Sequence, residues 1–470
     1  MRRLFLIIML LGVGISPNAA AQDSHYWDNQ YGTKGELLGG LVVGSPSDLS
    51  ATFYNPGWIA LYGGASILLT TKAAEAYSIK LKDGLGRGTE PASTTVTTSP
   101  GYLAGRFSSS NDEGWQWAYS YLQKVQFEFD ATGIRVDDNS APPPEGNIWF
   151  SGEAFRKAKT NEYWYGLTLS RRIRENIGLG ISPYVVQRSM SSRTQAAAQG
   201  LTAADPVSQF GQVYGVDEFD FWNVRLLAKI GLAIDHGNLT YGITLTTPGL
   251  GILGDGSVYQ TASVSGIDQN GDGVVDDPFL SANHQEELSS SWQSPLSIAV
   301  GAAWKPAATG VYVTLEWFNA ISPRTALDPD DYLSQSDGTV QSYDLMYGAK
   351  SLVNFGLAFD HEFHRTFAIY GAFRSDFSSL PSEADNALQL ATWDLWHISS
   401  GASFTFMSME FTAGLQFSFG NGENNRFLNF NSGDEGDVVG DFGKHEVTYR
   451  RLKALVGFNL GFGQAAESGE

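Results

Sequence analysis

The residue types that most often carry chemistry are sparse in this chain and rarely adjacent. Its 470 residues include seven histidines and no cysteine. Without cysteine there is no disulfide framework, no thiolate metal site and no thiol to carry a lipid anchor. No GxSxG, HExxH or phosphate-cradling glycine loop is present. Two groupings remain. The run Asp268-Gln269-Asn270-Gly271-Asp272-Gly273-Val274-Val275-Asp276-Asp277 places oxygen ligands at alternate positions. In a calcium loop Asp268, Asn270 and Asp272 would take the first, third and fifth positions. Gly273 would make the sharp turn, the Val274 carbonyl would take the seventh position and Asp276 the ninth. Phe279 falls at the twelfth, where a bidentate acid is usual. The expectation is therefore a weak, structural Ca2+ site, with a solvated turn as the alternative. The second grouping is a set of charges, Arg225, Lys229, Glu316, Arg451 and Lys453, embedded in apolar alternation. An apolar carboxylate needs a cation for its head and a greasy trough for its tail. Arg225 and Lys229 are the candidate pair for that role; the alternative is that such charges solvate a lumen or hold a plug.

What must position these residues is read from a period of two. Val224, Leu226, Ala228, Ile230, Leu232 and Ile234 alternate with Arg225, Lys229 and Gly231. The same holds for Phe411 to Phe419 and for Leu452 to Phe462. Each is a strand with one greasy face and one polar or small face. The runs exceed the five or so residues of a soluble strand, and ends carry Trp115, Trp117, Tyr119, Tyr121, Tyr163, Trp164 and Tyr165, rings suited to a bilayer headgroup level. Fourteen strands are expected, near 64–82, 99–108, 115–129, 153–173, 176–191, 217–235, 238–247, 292–305, 310–319, 342–360, 365–377, 391–407, 409–420 and 446–463. Short and long links alternate between them, the longest spanning 248–291. Short periplasmic turns and long outer loops mark an integral outer-membrane antiparallel β-barrel with both termini in the periplasm. On this map His236, His361 and His364 fall at turns, His284 and His445 in outer loops, and His397 inside a strand, facing inward with Ser399. A lipid-cleaving Ser–His pair would have to sit at the lipid boundary. A lumen-lining role for His397 is expected instead, and no enzyme activity.

The chain begins with Arg2 and Arg3, an apolar stretch from Leu4 to Val13, and Asn18-Ala19-Ala20-Ala21 before Gln22. This reads as a cleaved signal peptide over 1–21, its apolar stretch too short to span a bilayer. The formal charge of −20, or −22 without Arg2 and Arg3, disfavours nucleic acid as a partner. Residues 22–62 show no long alternation but are rich in apolar side chains. They are expected to form an N-terminal hatch, or plug, in the lumen of a barrel spanning 63–463, with a tail over 464–470.

The stretch Ser47-Asp48-Leu49-Ser50-Ala51-Thr52-Phe53-Tyr54-Asn55-Pro56-Gly57-Trp58-Ile59-Ala60-Leu61 resembles the plug signature of the FadL-like transporters. Asp48, Ser50, Ala51, Asn55 and Pro56 match that signature; Gly57 stands where Ala is usual and Trp58 where Gly often follows. The resemblance implies a fourteen-stranded barrel with an N-terminal hatch, and passive transport of long-chain fatty acids or aromatic hydrocarbons. It also implies sideways release through a kinked third strand, although Trp115 to Phe129 contains neither Gly nor Pro. The hatch residues it singles out are Asp48, Ser50, Ala51, Asn55, Pro56, Gly57 and their aromatic neighbours Phe53, Tyr54 and Trp58. The end Phe458-Asn459-Leu460-Gly461-Phe462 resembles the strand that outer-membrane assembly machinery reads. The expected partners are that machinery, outer-membrane lipids and a hydrophobic small molecule, with the protein a monomer. A general porin or structural surface barrel is the alternative function, and an outer-membrane lipid enzyme a more distant one.

Overall fold

The computed structural model describes residues 24–46, 48–61, 67–84, 88–107, 114–136, 148–202, 209–266, 274–381, 392–407, 409–425 and 444–460. Three short helices come first: α1 (Thr33–Leu37), α2 (Ala51–Tyr54) and α3 (Trp58–Leu61). The strands that follow are β1 (Ile67–Leu81), β2 (Ala92–Arg106), β3 (Trp115–Val136), β4 (Ile148–Arg174), β5 (Ile177–Thr202), β6 (Gln209–His236) and β7 (Leu239–Thr246). Next are β8 (Leu250–Ser265), β9 (Phe279–Ser289), β10 (Ser297–Trp304), β11 (Thr309–Phe318), β12 (Ile321–Leu327), β13 (Tyr332–Leu333), β14 (Val340–Gln341) and β15 (Leu345–Ala349). The last are β16 (Leu352–His364), β17 (Phe367–Asp376), β18 (Leu395–Phe406), β19 (Met409–Asn425) and β20 (Lys444–Leu460).

Fourteen of these, β1 to β7, β10, β11 and β16 to β20, pair antiparallel in a ring that closes through β1–β20. Side chains alternate as the period of two demands. Leu179, Ile181, Val185, Leu226, Ile230, Val300, Leu315, Leu357, Leu415, Leu452 and Val456 lie exposed on the outside. Arg225, Lys229, Arg451, Lys453, His397 and Ser399 are buried on the inside. A closed sheet with an unbroken exposed apolar belt is a membrane-spanning barrel, because closure leaves no backbone group unpaired in lipid. Trp164 departs from the headgroup role expected of it. It shares its face with the buried residues of β4 and packs inward, 5% exposed.

The wall is uneven in height. The strands β4, β5 and β6 run to 27, 26 and 28 residues, whereas β7 and β10 have eight each. At ~3.3 Å per residue the tall strands far outrun a hydrocarbon core of ~30 Å. β6 changes neighbours on the way up: it pairs with β7 over Lys229–His236 and with β8 over Gln212–Leu226. The switch falls at Pro248 and Gly249; a Cβ on Gly249 would meet Arg225 Cδ at 2.8 Å. The expected loop over 248–291 thus contains the hairpin β8–β9, which sequence alternation misses because β8 is rich in Gly and Ser. Likewise the strand expected over 342–360 is two. Leu345–Ala349 pairs with β12, and the barrel strand starts at Leu352, after Lys350 donates its N–H to Ser379 O. His284 and His445 lie in β9 and β20, not in loops, and His236, His361 and His364 at strand ends.

One junction in the wall is incomplete. β2 and β3 pair only over Tyr102–Arg106 and Ala118–Leu122. Beyond that point three strands carry irregularities at the same height. β1 shifts register between Lys72 and Ala74, β2 between Tyr102 and Pro100, and β3 between Gln123 and Val125, leaving Lys124 as the extra residue. Bulges bend strands and raise their twist, so β3 kinks away from β2 without needing Gly or Pro at the kink.

Candidate functional site

The N-terminal segment, residues 24–61, meets the inner faces of strands around the whole ring and so lies within the wall. The residue before a proline is driven out of the helical region, and Asn55 accordingly sits at φ −160°, ψ 97°, ending α2. Its side chain then holds the turn. Asn55 Nδ2 donates to Val43 O at 3.1 Å and to Leu232 O at 2.9 Å, while Gly57 N donates to Asn55 Oδ1 at 3.1 Å. Thr52 O accepts from Ser182 Oγ and Tyr184 Oη, both at 2.8 Å, and Tyr54 O accepts from Thr244 Oγ1 at 2.7 Å. Arg106 and Arg172 donate to the Ile59 and Ala60 carbonyls at the end of α3, satisfying groups that a helix end leaves open. Asp48 accepts from Thr33 Oγ1 at 3.0 Å and Ser50 N at 2.8 Å. Ala51, Phe53, Tyr54 and Trp58 are all buried.

Gly57 explains its own departure from the plug signature. A Cβ there would stand 2.7 Å from Gly178 O, 2.8 Å from Gly231 O and 2.9 Å from Ala233 N. The wall opposite is itself glycine: a Cβ on Gly180 would meet Pro56 O at 2.4 Å, and one on Gly242 would meet Val43 O at 1.9 Å. Turn and wall approach backbone to backbone.

The other end of the segment is held by charge. Arg451 Nη2 lies 2.5 Å from Asp28 Oδ1 and Nη1 3.4 Å from Glu75 Oε1; Lys453 Nζ donates to Asn29 Oδ1 at 2.8 Å. Burial alone would raise the Asp28 carboxyl, but the Arg451 and Lys453 charges hold it well below its usual value. Glu36 has only a long contact from Thr70 Oγ1, 3.4 Å. Burial pushes its carboxyl up to about 8, only partly offset by Lys453 and Lys72. Trp27 N donates to Asp376 Oδ1 at 3.0 Å and Trp27 Nε1 to Glu316 Oε2 at 2.6 Å. The inward charges Arg451, Lys453 and Glu316 therefore anchor this segment.

Between the segment and the wall lies a cavity of about 110 Å³, bordered by Tyr26, Trp27, Phe53 and Tyr54 on one side and by Trp164, Trp292, Phe318 and Tyr347 on the other. Its charges sort into two kinds. Glu162 Oε2 accepts from Arg188 at 2.8 Å and Arg225 at 2.6 Å, and Glu162 Oε1 from Trp164 Nε1 at 2.7 Å. Arg225 also donates to Ser294 Oγ at 2.8 Å and Asn223 Oδ1 at 3.2 Å. Arg225, one of the pair expected to meet a carboxylate, is thus held by protein partners in this structure. Lys229 is not so committed: it donates to Thr246 Oγ1 at 3.0 Å and stands 4.5 Å from the Phe53 ring centre. Lys124 joins it from the bulge in β3, 5.4 Å from the same ring and 2.5 Å from Tyr26 O. Neither ammonium is ion-paired among the described residues.

Lys124 was readable, since it shares the inward parity of Ala118, Ser120 and Leu122; the bulge instead turns Val125, Phe127 and Phe129 inward, which unbroken alternation places outside. Glu162 and Arg188 were findable, since each shares the inward parity of Trp164 or Tyr184. Asp268, Asn270 and Asp272 lie outside the described residues; Val274 and Asp276 follow them. His397 Nδ1 is 2.7 Å from Ser418 Oγ, and Nε2 is 3.6 Å from Asp376 Oδ2. Ser399 does not pair with it but donates to Leu37 O. This Ser–His–Asp set is fully buried behind Trp27, whose N–H meets Asp376, and none of the three borders the cavity.

At the β2–β3 junction side chains replace the missing ladder. Tyr77 Oη donates to Glu128 O and accepts from Glu128 N, the latter at 2.8 Å. Ser93 Oγ accepts from Asp130 N at 2.9 Å, and Gln126 Nε2 donates to Thr97 Oγ1 at 3.0 Å.

No family model and no curated protein matches the chain. Solved structures do. A Pseudomonas aeruginosa FadL homologue superposes with a TM-score of 0.57 at 12% identity, covering 93% of this chain and all of that one. The Pseudomonas putida toluene transporter TodX gives 0.56 at 12%, covering 92% and 99%, and the Ralstonia pickettii toluene transporter TbuX 0.52 at 10%, covering 93% and 99%. The chain has the fold of the FadL-type barrels.

Proposed function

We propose that this chain is a passive transporter of small hydrophobic molecules in the outer membrane, in which residues 24–61 act as a hatch and the 110 Å³ cavity holds the transported molecule. The carrying observation is the cavity itself: it lies between hatch and wall, eight aromatic side chains border it, and two lysines with no ion pair among the described residues face one ring. A dry apolar cavity of ~150 Å³ is enough for benzene, so the space suits a single ring after a modest shift of the hatch. The structural neighbours described as toluene transporters are consistent with that scale. Lys124 and Lys229 add a polar complement, an acidic head on the same small apolar body. Entry is from the side of the tall strands and long links, release is sideways through the β2–β3 junction, and the hatch keeps polar solutes out. Export by a cleaved signal peptide over 1–21 and a monomeric state complete the reading. A porin would need an open lumen, which a seated hatch denies, and a lipid enzyme would need an exposed nucleophile.

Titration of toluene and phenylacetate into the detergent-solubilised protein tests this. Both should bind, and Lys124→Ala with Lys229→Ala should cost phenylacetate ~10- to 100-fold, the value of hydrogen bonds to a charged group, while leaving toluene unchanged. Binding of neither compound to the parent contradicts the transport reading. Equal phenylacetate affinity in parent and double variant removes the acidic head from it.

A further inference from the structure

The unfinished β2–β3 junction is filled from inside by a stack of four rings. Phe127 and Tyr77 lie 6.5 Å apart at 17°, Tyr77 and Tyr449 6.2 Å apart at 20°, and Tyr449 and Trp393 5.7 Å apart at 23°. They come from β3, β1, β20 and the segment before β18. A void of about 10 Å³ lies among them, bordered also by His25 and Arg451. His25 borders the main cavity as well, and Val125, two residues from Phe127, lines it. The stack therefore stands between the cavity and the junction. Outside, Val96 on β2 is 73% exposed, with no β3 strand beside it.

We propose that this stack is a second ligand site, for a flat aromatic ring, and that Tyr77 admits the ligand to it. The inference rests on the transport reading above. Offset rings at 4.5–7 Å attract one another. A flat guest entering the stack exchanges one set of ring contacts for another, whereas a puckered saturated guest of equal size breaks contacts without replacing them. The void has room for no more than about one water, so a guest enters only when a ring turns aside. Tyr77 is the ring whose turning also releases β3 backbone at the junction, because its hydroxyl meets both the N–H and the C=O of Glu128. The Trp393 indole N–H has no acceptor among the described residues, leaving a donor in the stack for a guest oxygen or π face. Selection for flatness is thus placed at the exit, separate from the size limit set by the cavity.

Fluorine NMR of the full barrel in detergent, with fluorobenzene and fluorocyclohexane as probes, tests the proposal. Fluorobenzene should give two bound signals, one displaced upfield by the flanking rings; fluorocyclohexane should give only the undisplaced one. Tyr77→Leu and Phe127→Leu should each abolish the displaced signal and keep the other. Ala299→Phe, which fills the cavity, should do the reverse. Tyr77→Phe, keeping the ring but losing both hydrogen bonds, should retain the displaced signal with faster exchange. A single fluorobenzene signal that responds to Ala299→Phe and not to Tyr77→Leu overturns the exit site and leaves the cavity reading standing. A displaced signal that survives both leucine variants also overturns it. No bound signal for either probe overturns both.

Discussion

Replacing Gly57 by Ala adds one methyl at the point where the hatch turn meets the wall. The added carbon would lie 2.7–2.9 Å from three atoms, Gly178 O, Gly231 O and Ala233 N, all backbone of β5 or β6. Side chains can rotate away from such contacts, but ladder backbone cannot, so the turn itself must lift. Overpacking of this kind costs ~1–3 kcal/mol. The barrel ladder does not include the turn, so the cost falls on hatch seating. At tenfold per ~1.4 kcal/mol, the unseated population should rise ~5- to 150-fold. Gly35 supplies the control: a Cβ there meets only side chains, at 3.3–3.9 Å, and in a helix Ala is the better residue. Open-state frequency in planar bilayers is the assay, with a barrel lacking residues 23–60 setting the ceiling. Gly57→Ala should raise the frequency and Gly35→Ala should not. If Gly57→Ala gates like the parent while the deletion conducts freely, the backbone-to-backbone seating of this turn is not what keeps the hatch closed.

Other expected outcomes follow from the same contacts. Asn55→Ala removes two donations to carbonyls and the acceptor for Gly57 N; at ~1 kcal/mol each it should loosen the hatch by ~2–4 kcal/mol, seen as faster proteolysis of residues 24–61 in an intact barrel. Glu36 gives a pH dependence of definite sign. Its carboxyl is raised when seated, from 4.5 to about 8, so seating is strongest below the unseated value and weakens as pH climbs from about 4.5 to about 8. Glu36→Gln should flatten that window in open-state frequency; a parent barrel that opens less at pH 8 than at pH 5 has the wrong sign. Asp28 acts oppositely, its carboxyl held low by Arg451 and Lys453, so its contribution is present above the usual carboxylate range and lost in strong acid.

Much of the barrel was legible because one physical rule, alternate residues to lipid and lumen, is imposed on every spanning strand. That rule located all fourteen wall strands and turned Arg225, Lys229, Arg451 and Lys453 inward. It failed where pairing changes partner or slips. β8 pairs with the N-terminal half of β6, and its Gly- and Ser-rich alternation carries little contrast. Leu345–Ala349 looked continuous with Leu352–His364 because a change of partner leaves no mark in composition. Val125, Phe127 and Phe129 are the sharper case: they share the parity of the outward Trp117, Tyr119 and Tyr121, but the one-residue bulge at Lys124 turns them inward, and only the register reveals it. The Asn55-Pro56 turn was readable from proline's effect on its neighbour. The need for Gly57 was not, because it depends on Gly178 and Gly231, more than a hundred residues away, meeting the same turn.

The central claim is that hydrophobic molecules pass this barrel and polar ones do not. Proteoliposomes containing the full chain measure it directly, by comparing uptake of labelled toluene and phenylacetate with swelling in sucrose or arabinose. The expected result is protein-dependent uptake of the apolar compounds, with sugar swelling no faster than in protein-free vesicles until residues 23–60 are deleted. Rapid sugar swelling by the intact chain, with no protein-dependent uptake of either apolar compound, would contradict it.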